Sequence, residues 1–263
     1  MDDEAAPRVI IERRGAVLLI GLDRPAKRNA ADLRMLQELA LAYGEYARDD
    51  ALRVAVVHAA GDHFTGGLDL ADLAPRLADG LDLIPEGGVD PWQLTGPVLD
   101  KPVLVAVQGT CLTLGVELIL ASDLTIAADS TRFGQIEVSR AILPFGGATL
   151  RFPRAVGWGD AMRWMLTGEL FDAAEAHRMG LVQEVVPHGA QLDRALELAE
   201  RIAAQAPLAV RATLANAKLA VREGDRAAIE RLPGELARLS ATEDARTGMA
   251  AFLSRTAPNY QGR

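Results

Sequence analysis

Between residues 8 and 190, short apolar runs take turns with segments of helical periodicity, and after residue 191 the runs stop. This pattern limits the chain to an α/β core followed by helices. RVAVVH (53–58) reads as a buried strand, and VLVAVQG (103–109), LTIAAD (124–129) and LVQEVV (181–186) as further strands. Between them, residues 31–49 place Leu33, Leu36, Leu39, Ala40 and Tyr43 at helical spacing, and 115–122 and 159–167 also read as helices. The run VIIERRGAVLLIGLD (9–23) predicts two strands joined by a turn. From residue 191, LDRALELAERIAAQ, LAVRATLANAKLAV and DRAAIERLPGELARLS are amphipathic helical text. The predicted organisation is a core over 1–190 and a helical region over 191–263, packing on its own core or on another subunit. Residues 74–100 carry Pro75, Gly80, Pro85, Gly87, Gly88, Pro91 and Pro97 and read as a long irregular segment, either functional or mobile.

Composition narrows the setting. A chain of 263 residues that is 49% hydrophobic can bury a sizeable core without staples. Its single cysteine, Cys111, excludes an intrachain disulfide framework and fits a reducing cytoplasm, and no Cys/His spacing suggests a metal. A net charge of -8 argues against nucleic acid as a partner. The acidic start and the lack of any apolar run of roughly 20 residues argue against a signal peptide or membrane span, so a cytoplasmic protein without membrane partner is expected.

Three segments carry candidate chemistry: GDHFTGGLDL (61–70), QGTCLTLGVEL (108–118) and FGQIEVSRAILPFGG (133–147). Alone, Gly66-Gly67 reads as a tight turn and Gly115 as an ordinary helix start. Together, two glycine-rich bends feeding helices leave backbone N–H groups unpaired at positive dipole ends, a hole for a transient anion such as a thioester enolate. Glu117, just inside the helix after Gly115, and Glu137, in the loop after Phe133-Gly134, supply two carboxyls in apolar text that can divide acid and base work. Plainer readings stand beside these: a dipole-favoured helix carboxylate for Glu117, a solvated loop residue for Glu137, and a turn or helix cap for Asp69. His63 reads as a surface turn residue or a pocket wall, Cys111 as a small buried hydrophobe, and Trp158 and Trp164 as core or subunit contacts. No histidine has a nucleophile elbow beside it.

The order and spacing of these segments resemble the crotonase superfamily, the enoyl-CoA hydratase/isomerase group, over nearly the whole chain. RPAKRNA (24–30) resembles the family's nucleotide-facing loop, FTGGLDL and GTCLTLGVEL its two oxyanion-hole segments, and FGQIE the loop bringing the second acid. TGELFDAAEAHRMGLVQEVVP (167–187) and AFLSRTAPNYQGR (251–263) match its later text. The resemblance implies a spiral of repeated ββα turns with an all-helical C-terminal region, assembled as a homotrimer or dimer of trimers. It implies oxyanion donors from the Leu68 and Leu114 amides and catalytic carboxylates at Glu117 and Glu137. It also implies an acyl-CoA substrate contacted by Gly66, Gly67, Asp69, Leu70 and Gly115. The CoA would thread past Ala26 to Ala30, with Lys27 or Arg28 available to its phosphates. The implied reaction is reversible syn hydration of a trans-2-enoyl-CoA to a 3-hydroxyacyl-CoA with no cofactor beyond the CoA of the substrate. An isomerase or a specialised hydroxyacyl-CoA dehydratase is the alternative within the superfamily, and a noncatalytic acyl-CoA-binding protein the alternative outside it. The chain departs from the pattern at Thr113-Leu114-Gly115, where relatives often carry three glycines. It departs again at Arg140 and Phe145, often apolar or glycine in relatives.

Overall fold

The computed structural model describes residues 6–77 and 83–263. The expected hairpin is present: β1 (Val9–Arg14) pairs antiparallel with β2 (Val17–Leu22), and Gly15 turns between them at φ +60°. β2 is buried along its whole length, whereas β1 is mostly exposed at the sheet edge. Next comes α1 (Leu33–Arg48), whose Asp32 cap accepts the Met35 amide at 2.9 Å. β3 (Val54–Ala59) follows, and then α2 (Leu70–Leu77).

The spiral is visible in how the next strands divide. β4 (Val103–Val107) joins the large sheet, β5 (Thr110–Leu112) leaves it for a second sheet, and α3 (Leu114–Ala121) closes the turn. β6 (Leu124–Ala128) and β7 (Arg132–Gly134) repeat the step, followed by α4 (Ala148–Val156) and α5 (Trp158–Thr167). β8 (Phe171–Asp172) and α6 (Ala173–Arg178) precede β9 (Glu184–Val186). The six-stranded sheet runs β1-β2-β3-β4-β6-β9, parallel from β2 onward, and the small sheet runs β5-β7-β8.

Alternation along each strand feeds two cores. Leu18, Ile20, Val57, Val105 and Ala127 join the cluster under α1, α3 and α4. Val17, Leu19, Val54, Val56, Leu104 and Ile126 pack against Ala195, Leu196 and Ala199 of α7 (Gln191–Ala203). Burial on both faces explains the unbroken apolar strands. The first C-terminal helix therefore covers the core sheet, while α8 (Pro207–Glu223), α9 (Asp225–Ser240) and α10 (Glu243–Ser254) bury little beyond Ala212, Ala228 and Ala251.

Three local readings need correction. Leu181 and Val182 are core residues but lie outside β9, because Gln183 bonds Thr125 through both its amide (3.0 Å) and its side-chain oxygen (2.8 Å). The expected irregular segment 74–100 begins as helix: α2 runs through Pro75 to Leu77. Its Gly80 lies outside the described residues. Glu137 sits in a 3-10 turn, Glu137–Arg140, and is buried, not solvated. Trp164 is core, its ring tilted 37° against that of Phe171 with centroids 4.9 Å apart, whereas Trp158 is 72% exposed.

Candidate active site

The two glycine-bearing bends lie side by side because their backbones are bonded together. The Thr65 amide donates to Thr110 O (3.0 Å), and the Leu112 amide donates to Thr65 O (3.1 Å). A Cβ at Gly115 would lie 2.5 Å from Thr65 Cγ2, and one at Gly67 (φ +101°) would collide with the Thr113 hydroxyl. Gly67 and Gly115 are thus packing glycines that let the bends touch; neither lines the cavity, contrary to the expected substrate contact.

Beside each candidate donor several amides are already used, although on α3 the first-turn amides after Leu114 are not. Gly66 N donates to Arg28 O (2.8 Å), Gly67 N to the Thr65 hydroxyl (3.1 Å) and Asp69 N to Ala31 O (2.9 Å). Thr113 N donates to Gly134 O (2.8 Å) and Glu117 N to Thr113 O (3.0 Å). Among the described residues the Leu68 and Leu114 amides have no protein acceptor, and both residues line one cavity of about 460 Å³. Leu114 is the first residue of α3, where a free amide is the rule.

Glu117 and Glu137 line the same cavity, 3% and 8% exposed, in unlike surroundings. Glu117 Oε1 accepts the Ala148 amide at 3.1 Å, and the Gly146 and Gly147 amides also stabilise its charge, so the carboxyl meets the N-terminus of α4. A Cβ at Gly146 would strike that carboxylate, lying 2.8 Å from its Cδ. Burial pushes the Glu117 pKa up, while these amides and the Arg151 charge pull it down. Glu137 Oε2 is buried without a hydrogen-bond partner. Burial raises its pKa to about 7; its own backbone amide opposes this, the Glu117 charge adds to it, and Arg140 counteracts it. The net shift of Glu117 is upward as well, but its amides and Arg151 favour its charged form, so of the two carboxyls Glu137, at about 7, is the one that holds its proton more tightly.

The remaining expected contacts divide. Gly66, Leu70, Arg140 and Phe145 line the cavity, in a wall otherwise dominated by aliphatic side chains such as Leu36, Leu73 and Ile142. Asp69 does not; its carboxylate takes Arg24 Nη1 at 2.7 Å and the Ala71 and Asp72 amides, which is the structural role first considered for it. Ala26, Lys27 and Arg28 are exposed on the 3-10 turn around Pro25–Lys27, and Ala30 is half-buried; all four lie outside the cavity wall. His63 likewise turns away and accepts the Thr110 amide at Nδ1 (3.1 Å). Burial keeps the Cys111 thiol protonated by raising its pKa.

Sequence reasoning missed four contributors. Buried Asn29 ties the 24–30 loop to the first bend, donating to Ala60 O (2.9 Å) and His63 O (2.7 Å). Gly146 makes room for Glu117, and the FGG triplet was its only signal. Asp90 and Trp92 build the wall opposite α3: Asp90 accepts the amides of Trp92 (2.9 Å), Leu94 (2.8 Å) and Thr95 (3.0 Å), an Asp-Pro turn signature legible in retrospect.

Comparisons agree with this geometry. The family model for enoyl-CoA hydratase/isomerase matches residues 12–263. Enoyl-CoA hydratase EchA19 of Mycobacterium tuberculosis is 35% identical over 266 residues, with 99% of this chain and 98% of the relative covered. The 2,3-dehydroadipyl-CoA hydratase of Escherichia coli is 34% identical over 259 residues, covering 97% of this chain and 99% of the relative. A crystal structure of a probable enoyl-CoA hydratase/isomerase from Mycobacterium abscessus superposes with a TM-score of 0.96 at 58% identity, covering 97% of this chain and 99% of that one. Matched along almost its full length in sequence and in fold, the chain belongs to the enoyl-CoA hydratase/isomerase family, the crotonase superfamily.

Proposed function

We propose that the protein is an enoyl-CoA hydratase in which Glu117 is the base and Glu137 the acid. The observation that carries this reading is the contrast between the two carboxyls, one held by amides and one with an orphaned oxygen, in a cavity that also receives two free backbone amides. The thioester carbonyl accepts from the Leu68 and Leu114 N–H groups. Glu117 takes a proton from water as its oxygen attacks the β carbon, and the electron pair of the double bond moves onto the thioester oxygen. The enolate then collapses as Glu137 delivers its proton to the α carbon. Glu117 ends protonated and Glu137 ionised, and one proton passed back through solvent restores both. Microscopic reversibility makes dehydration the same path run backward.

The aliphatic wall supports an apolar acyl tail. Gly66, which lines the cavity, is bonded to Arg28 O, so the exposed turn carrying Lys27 and Arg28 stands next to the thioester end and suits CoA phosphates. Met249, Phe252 and Leu253 on α10 and Leu236 on α9 are all more than half exposed, which supports assembly of copies as a trimer or dimer of trimers. Among the described residues no helix is long and apolar enough to cross a membrane, and the lone reduced Cys111 fits a cytoplasmic setting.

The test is a hydration assay on trans-2-enoyl-CoA esters from crotonyl upward. We expect turnover, with kcat/KM rising about fourfold per methylene until the cavity is filled, from roughly 0.8 kcal/mol per buried methylene. Binding of every ester without turnover of any would overturn the hydratase reading in favour of a noncatalytic carrier.

A further inference from the structure

The wall opposite α3 does more than enclose the acyl group. Its 90–95 turn is locked from within by Asp90, which also accepts the Thr95 hydroxyl (3.2 Å). From this turn two side chains reach α3. Gln93 Nε2 donates to Ala121 O at the C-terminal end (2.9 Å), and the buried indole of Trp92 donates its Nε1–H to Leu114 O at the N-terminal end (3.1 Å). Arg151 Nη2 donates to Gln93 O (3.2 Å), which ties the turn to α4 as well.

The first residue of α3 needs such a brace. Thr113, immediately before it, stands at φ +50° and ψ -113°, and its buried hydroxyl lacks a hydrogen-bond partner. A β-branched residue is strained there and persists only where its surroundings over-determine it. On one side the Thr113 amide is held by Gly134 O. On the other, Trp92 holds the Leu114 carbonyl. The free Leu114 amide lies between these two anchors, in a peptide whose Thr113 carbonyl accepts the Glu117 amide (3.0 Å).

We propose that Trp92 is a positioning residue for the thioester: its indole N–H holds the Leu114 carbonyl, in the peptide that follows the donor amide, and so limits rotation at Leu114 and keeps its N–H aimed at the thioester carbonyl oxygen, while its ring forms one wall of the acyl cavity. The inference rests on Leu114 being an oxyanion donor. A donor aimed at charge that develops in the transition state acts on kcat more than on KM. A Trp92 that served only as wall would act on KM.

The experiment uses Trp92→Phe, which keeps an aromatic ring and removes the N–H, with Gln93→Leu as a control for general loosening of the turn. Complete loss of one oxyanion donor lowers kcat by roughly 10²–10³-fold, so a misaimed donor is expected to lower it about tenfold, with KM within twofold. Binding of 2,4-hexadienoyl-CoA gives a reading independent of turnover, because the absorption of a conjugated thioester moves red as its carbonyl is polarised. The parent shifts it red, Trp92→Phe shows less than half that shift at similar affinity, and Gln93→Leu retains it. Equal shifts and equal kcat in parent and Trp92→Phe overturn the proposal, as does an equal loss in Gln93→Leu. No shift in the parent overturns the oxyanion reading and the proposal together. If Trp92→Phe folds poorly, benzothienylalanine at position 92, with sulfur in place of the N–H, gives the same readout in an unchanged shape.

Discussion

The surroundings of Glu117 and Glu137 differ in one respect that decides their chemistry: what the protein places against the carboxyl. Glu117, on a regular helix, points at the N-terminus of another helix and collects its amides. Glu137, on a single 3-10 turn, points one oxygen at nothing that can donate. Burial acts on both, so burial alone would leave two similar acids. The amides separate them, and a pair of carboxyls pushed apart in this way can hand a proton across a substrate.

Removing either member of the pair should have the largest effect. Glu117→Gln and Glu137→Gln are each expected to lower kcat for enoyl-CoA hydration by about 10²–10⁴-fold while substrate binding persists, checked by steady-state kinetics and ligand titration. If one variant keeps near-parent kcat, the two carboxyls do not share the reaction. A smaller but more specific effect is expected from Gly146→Ala, whose new methyl displaces the Glu117 carboxylate without changing any titratable group. A misplacement of that size lowers kcat by up to about 10²-fold. Unaltered kinetics in Gly146→Ala would break the link between the α4 N-terminus and the base.

The pH dependence sharpens the comparison further. With Glu137 as the acid, kcat/KM should fall as pH rises through about 7, and with Glu117 as the base it should also fall in acid. The mildest prediction concerns stability. The folded-state pKa of Glu137, about 7, lies above its ordinary value of 4.5, so the folded state holds this proton more tightly than the unfolded state. Stability from this group is therefore complete below pH 4.5 and declines as pH rises toward 7. Glu137→Gln should raise the thermal midpoint by a few degrees at pH 8 and leave it nearly unchanged at pH 4.5, measured by calorimetry.

The same contrast explains how much could be read in the sequence. β2, β3, β4 and β6 were legible because strands buried on both faces leave continuous apolar runs. β5, β7 and β8 have three residues or two, too short for any periodicity, and their existence depends on pairing across the spiral. α2 was hidden by Pro75, which it tolerates two residues before its end. In the site, Glu117 and the glycines of the bends were legible because helix starts and turns have local signatures. That Gly67 and Gly115 serve packing, and that Asp69 answers to Arg24, follows from contacts between distant segments. The FGG triplet and the Asp-Pro-Trp turn fall in the same class, since nothing local says that Gly146 clears space for a carboxylate or that Trp92 reaches α3.

The central claim is that the two glutamates hold unequal shares of one proton at neutral pH. Carbon-13 NMR of side-chain-labelled glutamate, assigned through Glu117→Gln and Glu137→Gln, follows each carboxyl directly through a pH titration of the ligand-free protein. The account predicts that Glu137 titrates near pH 7 and moves lower once the Glu117 charge is removed, with Glu117 already ionised where Glu137 is half-protonated. A Glu137 that titrates at its ordinary 4.5, or a Glu117 that keeps its proton above Glu137, would contradict it.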